Sequence, residues 1–298
     1  MTGDPHGRSA RRAAKRRAEF RRRRVVVLFA LGVGLLVAAG LAQRTTSSHA
    51  RHLPAARVRA RVATRLSRRH SHSPTDAAIE RLLARVPYIA VGGRHRREIA
   101  LTFDDGPGPY TPQLLKILRR HHVPATFFVV GQSLNSFGET LPVELRDHFV
   151  IGDHTENHRP LGQLSERDQR SQLVDQAYRV HLYGGPYPRL FRPPYRSFNQ
   201  TTLAVARKLH MLMVLWTVDS LDYRQPGAKV IFERVIQGAR PGAIMLMHDA
   251  GGTRVQTLAA LPAIIRRLRA MRYRLVTVPR LILDDPPPKA QPLPSGLG

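Results

Sequence analysis

Cysteine is absent from this chain, tryptophan occurs once, and 21 acidic side chains stand against 48 basic ones. Without cysteine there can be no disulfide, no thiolate-held zinc or iron–sulfur cluster and no thiol nucleophile, so any metal must be held by His, Asp or Glu. The shortage of acid leaves a formal charge of +27. Such a charge first suggests a nucleic-acid partner, a reading that depends on where the bases lie. Wholesale disorder is excluded by an ordinary 42% apolar share, and 298 residues suffice for one large domain or two modest ones.

Most of the excess charge lies outside any core-forming pattern. Residues 1–24 hold ten Lys/Arg and two acids, and residues 44–75 hold eight Arg and no acid. Between them, Val25 to Ala42 form an apolar run without a charged side chain. At 1.5 Å per residue it spans roughly 27 Å, enough for a bilayer core. The denser arginines on its N-terminal side place the N-terminus in the cytoplasm and everything after Ala42 outside. We read 1–24 as a basic cytoplasmic tail, 25–42 as a transmembrane signal-anchor and 43–75 as a flexible basic stalk. Cleavage after Ala42, which would make the protein secreted, is the alternative to a retained anchor. The Pro-rich segment 285–298 reads as a tail too poor in apolar residues to pack.

Residues 76–284 alternate short apolar runs with helical stretches. Strands are expected near 88–91, 99–103, 125–130, 149–151, 191, 211–217, 243–247 and 274–278. Helices are expected over 76–86, 111–121, 165–182, 199–209, 228–237 and 254–271. Such alternation indicates an α/β fold with a parallel sheet, and about seven or eight units suit either a barrel or an open doubly wound sheet. In either case the chemistry belongs at the C-terminal ends of the strands.

Five polar clusters fall at those ends. Thr102-Phe103-Asp104-Asp105-Gly106-Pro107 sets two carboxylates side by side, an arrangement that resists joint ionisation unless a cation compensates. His154-Thr155-Glu156-Asn157-His158 spaces two imidazoles four apart, and with a strand-end Asp it completes a three-ligand set of the kind catalytic zinc uses. Phe191-Arg192-Pro193-Pro194-Tyr195-Arg196 is a loop stiffened by two prolines. Trp216 to Tyr223 carries Asp219 and Asp222, and the run Leu246-Met247-His248-Asp249 ends an apolar strand on a histidine.

In this order, TFDDGP, HTENH, RPPY, DSLDY and MLMHD resemble the five motifs of the polysaccharide deacetylase family (the NodB-homology domain, of carbohydrate esterase type), over roughly residues 95–283. The resemblance implies a distorted (β/α) barrel and a metal-dependent hydrolase that removes N-acetyl groups from an amino-sugar polymer. It implies Asp105, His154 and His158 as ligands of Zn2+, or of another divalent metal such as Co2+. Asp104 corresponds to the base, His248 to the general acid, Arg192 to the residue that holds the base, and Asp222 to the partner of the catalytic His. Tyr195 matches the position whose backbone N–H binds the oxyanion, and Tyr223 and Leu246 would line the acetyl pocket. Three positions depart from the pattern: Tyr223 replaces a Trp, Arg196 replaces a Gly, and Asp153 replaces an Asn.

With the domain held just outside a membrane, peptidoglycan is the expected polymer, with chitin or poly-N-acetylglucosamine as alternatives. Two further readings are a relative acting on a small amide or imide and an inactive wall-binding module. A nucleic-acid partner is not expected, because the densest positive run flanks the apolar segment, where anionic lipid is the simpler partner.

Overall fold

A computed structural model describes residues 55–66 and 73–293. The basic tail and the apolar run 25–42 lie outside those residues. Among the described residues no helix is long and apolar enough to cross a membrane.

The expected flexible stalk needs correction. Its residues Ala55–Leu66 form a helix, α1. Val58, Val62 and Leu66 recur every four residues and make one apolar stripe between the arginines. Val62, Ala63 and Leu66 are buried in a cluster with Leu173, Val174 and Ala177, and Arg59 pairs with Asp175 at 2.6 Å. The next helix, α2 (Pro74–Leu83), starts where the Ser73 hydroxyl accepts from the backbone N–H of Asp76.

Nine short strands follow: β1 (Tyr88–Ile89), β2 (Glu98–Asp104), β3 (Thr126–Val129), β4 (Val150–Asp153), β5 (Leu190–Phe191), β6 (Leu212–Val214), β7 (Val218–Asp219), β8 (Ala243–His248) and β9 (Arg274–Val276). Between them run α3 (Thr111–Arg120), the short α4 (Leu134–Phe137) and α5 (Leu141–Arg146), α6 (Glu166–Leu182), α7 (Gln200–Lys208), α8 (Ala228–Gln237) and α9 (Val255–Ala270), and α10 (Val278–Asp284) comes last. Every strand pairing is parallel, in the order β1-β6-β5-β4-β3-β2-β8-β7, with β9 beside the start of β2. This curled parallel sheet fits a distorted barrel. It has more strands than the seven or eight expected because the apolar run 211–217 ends as a strand at Val214 and pairing resumes at Val218. The expected strand 274–278 stops at Val276, where the Thr277 side chain caps α10.

Strand periodicity sorts the side chains. From β2, Ile99, Leu101 and Phe103 point to the helices α3 and α9, joined there by Phe127 of β3 and by Met245 and Met247 of β8. Phe103, Phe127 and Phe149 pack with ring centroids 5.3 and 5.4 Å apart, adding about 0.5–1.5 kcal/mol per pair to the burial itself. The alternate residues, Thr102 and Asp104 of β2, Phe128 of β3 and Leu246 and His248 of β8, point the other way, into the curl.

The two ends of the curl meet through Thr217. Its N–H donates to Ile244 O at 2.8 Å, its hydroxyl donates to Ala90 O at 2.6 Å, and that same oxygen accepts from Ile244 N–H at 3.0 Å. The Pro-rich segment contributes as well, which corrects its reading as an unpacked tail. The Gln291 side-chain oxygen accepts from the backbone N–H groups of Ala90 and Val91, and Asp285 accepts from those of His95 and Arg96. One amide and one carboxylate side chain supply these contacts, so apolar content gave no sign of them.

Candidate active site

Register brings the polar clusters to one level. Asp104 lies opposite His248 of β8 and Phe128 of β3, Val129 of β3 lies opposite Asp153, and Asp219 lies opposite Leu246. Just past β2, Asp105 adopts φ 75°, a left-handed conformation that Asp tolerates better than most residues. This turn separates the two adjacent carboxylates. Asp104 stays in the curl, while Asp105 faces the loop after β4.

There His158 Nε2 lies 3.0 Å and His154 Nε2 3.5 Å from Asp105 Oδ1. The ligand atoms of Asp105, His154 and His158 all lie within 4.8 Å of one another. His154 Nδ1 is 2.8 Å from the Arg192 carbonyl, which can only accept, so the proton sits on Nδ1 and the Nε2 lone pair faces Asp105. His158 Nδ1 meets the Tyr195 hydroxyl at 3.0 Å, and the two rings pack edge to face at 4.7 Å. Asp105 Oδ1 is buried and has no hydrogen-bond donor. The His154 lone pair and the orphaned carboxylate oxygen repel one another unless a cation lies between them, and His158 presents its Nε2 to the same oxygen. The donor set therefore fits a divalent metal, with each imidazole oriented from behind as metal-bound histidines usually are. Gly251, at φ 70°, lets the loop after β8 press on this ligand, where a Cβ would lie 2.1 Å from Asp105 Oδ2.

Asp104 is 2% exposed and Arg192 is fully buried. Arg192 Nη1 donates to Asp104 Oδ1 at 2.7 Å and to the Thr102 hydroxyl at 2.8 Å. Its Nε and Nη2 donate to the carbonyls of Val214 and Leu215 at 3.0 and 3.1 Å. The guanidinium also lies 4.1 Å over the Phe128 ring. With its donors spread over one carboxylate, one hydroxyl and two carbonyls, the arginine cannot swing away. It fixes Asp104 with Oδ2 free to face the His154 side, 3.8 Å from Nε2.

On the opposite wall, His248 Nδ1 lies 2.7 Å from Asp222 Oδ1, and the His248 backbone N–H donates to Asp222 Oδ2 at 2.9 Å. Thr257 of α9 completes the carboxylate with a third donor at 2.8 Å. Burial opposes a charge on His248, but the field and hydrogen bond of Asp222, helped by Asp105 and Asp104, raise its pKa to about 9. Asp222, buried yet charge-paired, is held below its ordinary value. A protonated imidazole thus faces the carboxylate pair across the cavity.

That cavity, about 640 Å3, is lined by Asp104, Asp105, His154, His158, Tyr195, Tyr223, Leu246 and His248 among others. All ten candidate residues are therefore brought together. Eight line the cavity, while Arg192 and Asp222 stand behind Asp104 and His248 as their supports. Sequence reasoning missed four contributors. Thr102 and Thr257 are lone hydroxyls whose roles exist only in three dimensions. Trp216, which closes the apolar wall beside Leu246, was visible within the fourth cluster. Arg254 lines the cavity, 2% exposed, and spends its donors on the carbonyls of Ala250, Gly251 and Thr253.

Comparison with known proteins agrees with this geometry. A family model described as polysaccharide deacetylase matches residues 92–214. A peptidoglycan-N-acetylglucosamine deacetylase of Bacillus cereus is 36% identical over 187 residues, covering 62% of this chain and 87% of that protein. The chain belongs to the polysaccharide deacetylase family. A crystallised peptidoglycan N-acetylglucosamine deacetylase superposes with a TM-score of 0.65 at 32% identity, covering 67% of this chain and 95% of the other. The family's range is shown by a Bacillus anthracis structure described as a pseudoenzyme, which matches with a TM-score of 0.61 at 29% identity over 65% of this chain and 68% of its own.

The three departures from the family pattern now have surroundings. Asp153 is fully buried; its Oδ1 accepts from Thr155 N–H at 2.7 Å, and Oδ2 has no partner. Burial raises its pKa well above the ordinary carboxylate value. Tyr223 packs edge to face on His248 at 5.4 Å and its hydroxyl donates to Asp219 Oδ2 at 3.3 Å. Arg196 takes φ 55°, where Gly would sit without strain.

Proposed function

We propose that this chain is a metal-dependent N-deacetylase of an amino-sugar polymer, peptidoglycan first, acting outside a membrane to which residues 25–42 anchor it. The observation that carries the reading is the single cavity in which the Asp105–His154–His158 donor set faces both the Asp104–Arg192 pair and the Asp222–His248 pair.

A divalent metal held by Asp105, His154 and His158, zinc or cobalt in this reading, supplies Lewis-acid polarisation of the acetamide and a lowered pKa for water. Asp104, immobilised by Arg192, takes the proton of the attacking water. The Tyr195 backbone N–H contributes to oxyanion stabilisation, for which a well-aimed donor is worth about 2.7–4 kcal/mol. His248, protonated and oriented by Asp222, gives its proton to the departing amine. Trp216, Leu246 and Tyr223 form the wall that accepts the acetyl methyl.

Homologues that act on peptidoglycan, together with an apolar run between basic flanks, support a wall polymer over a small metabolite. The complete acid, base and ligand sets support catalysis over mere binding. The test is acetate release by the purified full chain with zinc or cobalt, on peptidoglycan, chitin oligomers and poly-N-acetylglucosamine. We expect release from at least one polymer and its abolition by a chelator. No release from any of the three, with metal bound, would sink the proposal.

A further inference from the structure

The end of the barrel away from the cavity has a chemistry of its own. Because β2, β3, β4, β8 and β9 are mutually parallel, the residues that precede them converge on one rim. Arg94, Arg96 and Arg97 precede β2, Arg119 and Arg120 precede β3, and Arg146 precedes β4. Arg240 precedes β8 and Arg272 precedes β9, and all of these are exposed.

Four acids at this rim already have a basic partner, and the half-buried Asp76 accepts from the Ser73 hydroxyl. Asp147 pairs with Arg119 at 3.5 Å, Glu98 and Asp284 both pair with Arg274, and Asp285 is held by His95. Among the described residues, Arg94, Arg96, Arg120, Arg146, Arg240 and Arg272 have no carboxylate within ion-pair distance. The exposed described acids lie elsewhere: Glu139 in the turn before α5, and Glu166 and Asp168 in the first turn of α6.

We infer that this rim is a docking face for a membrane surface rich in anionic phospholipid headgroups. The six charges are arginines, whose planar fork matches phosphate oxygens in pairs. The cavity opens at the opposite end, so docking leaves it open to a polymer. The inference rests on the membrane reading above, in which Val25 to Ala42 anchor the chain.

The test places the full chain in lipid nanodiscs of phosphatidylcholine alone, or with one third phosphatidylglycerol, and follows backbone hydrogen exchange. In the anionic discs the loops at 94–97, 146–148, 239–242 and 271–274 should be protected several-fold, and cavity loops should be unchanged. Protection should fade as salt shortens the Debye length from about 10 Å to about 3 Å. The triple substitution Arg96→Gln, Arg240→Gln, Arg272→Gln should remove it while acetate release from a soluble oligomer persists. Equal exchange in both lipids, or protection of the cavity loops instead, overturns the inference. So does protection by an added phosphate-bearing wall polymer in phosphatidylcholine discs that anionic lipid fails to reproduce. Failure to enter either disc refutes the anchor alone; sedimentation of the same chain with anionic but not neutral vesicles then upholds the docking face, and sedimentation with neither refutes it.

Discussion

The two ends of this barrel use the same backbone conformation for different purposes. At the N-terminal rim, His122, His148, His210 and Arg272 take positive φ, each one or two residues after the end of a helix, where a left-handed residue terminates the helix and Gly is the usual choice. At the cavity end, Asp105, Thr155, His158, Tyr195, Arg196 and Leu221 take positive φ within loops, and two of them are candidate metal ligands. At the rim the dihedral finishes a helix, and any residue without a Cβ could replace it. In the cavity it aims a side chain, and replacement removes chemistry. Strain alone therefore does not mark a functional site; what the side chain reaches does.

The sharpest break in this comparison comes from substitutions at the cavity. His154→Ala should remove both metal and turnover, whereas Asp104→Ala should lower kcat by about 10²–10⁴ with metal content retained. Metal analysis beside acetate release separates the two, and equal metal loss in both variants would contradict the assigned roles. Next in size, Asp222→Asn should lower kcat about a hundredfold and shift the alkaline limb of the pH profile. With its pKa raised to about 9, His248 keeps its proton below that value and loses acid function as pH climbs through it. A bound divalent cation offsets the contributions of Asp104 and Asp105, so in the loaded enzyme the limb falls lower, and losing Asp222 lowers it again. The linked stability has the same sign: it is fully present below about pH 6.5 and lost as pH rises through about 9. An alkaline limb that does not move in Asp222→Asn would remove His248 as the acid.

A smaller effect is expected at Tyr195→Phe, which removes the hydroxyl behind His158. Metal dissociation should become about tenfold easier by chelator competition, as for other groups that orient a ligand from behind. The smallest effects compare the ends directly. His148→Gly and Arg196→Gly should each stabilise the fold by about 0.5–1 kcal/mol, since both relieve a left-handed non-glycine residue. For a domain of this size that is a rise in Tm of about 1–4 °C. Only Arg196→Gly should also change KM for a polymer, because Arg196 follows Tyr195 at the cavity. An unchanged KM in both would mean that Arg196 does not meet the substrate.

Much of the cavity was legible in the sequence because parallel sheets put strand ends in one place. Five polar clusters behind five apolar runs were enough to assemble Asp104, Asp105, His154, His158 and His248. Thr257 was hidden because a single hydroxyl carries no pattern, and its partner lies 35 residues away; Thr102 stood in the first cluster, but its bond to Arg192, 90 residues on, exists only in the fold. The helix at 55–66 was written plainly in Val58, Val62 and Leu66, but the arginines between them drew the reading toward a solvated stalk. Gln291 was illegible for a different reason: it pairs with main-chain groups, which every sequence possesses.

The alternation along β2 has a consequence for how this chain can change over generations. Ile99, Leu101 and Phe103 serve the helices while Thr102 and Asp104 serve the cavity, so losing or gaining one residue in this strand would exchange the two sets at a stroke. Neighbouring strands on both sides hold the same register, so no local slide can repair the exchange. Lineages descending from this protein can shed activity through substitutions that leave the strand intact. They cannot lengthen or shorten the strand beneath Asp104 without losing folding and catalysis in the same event.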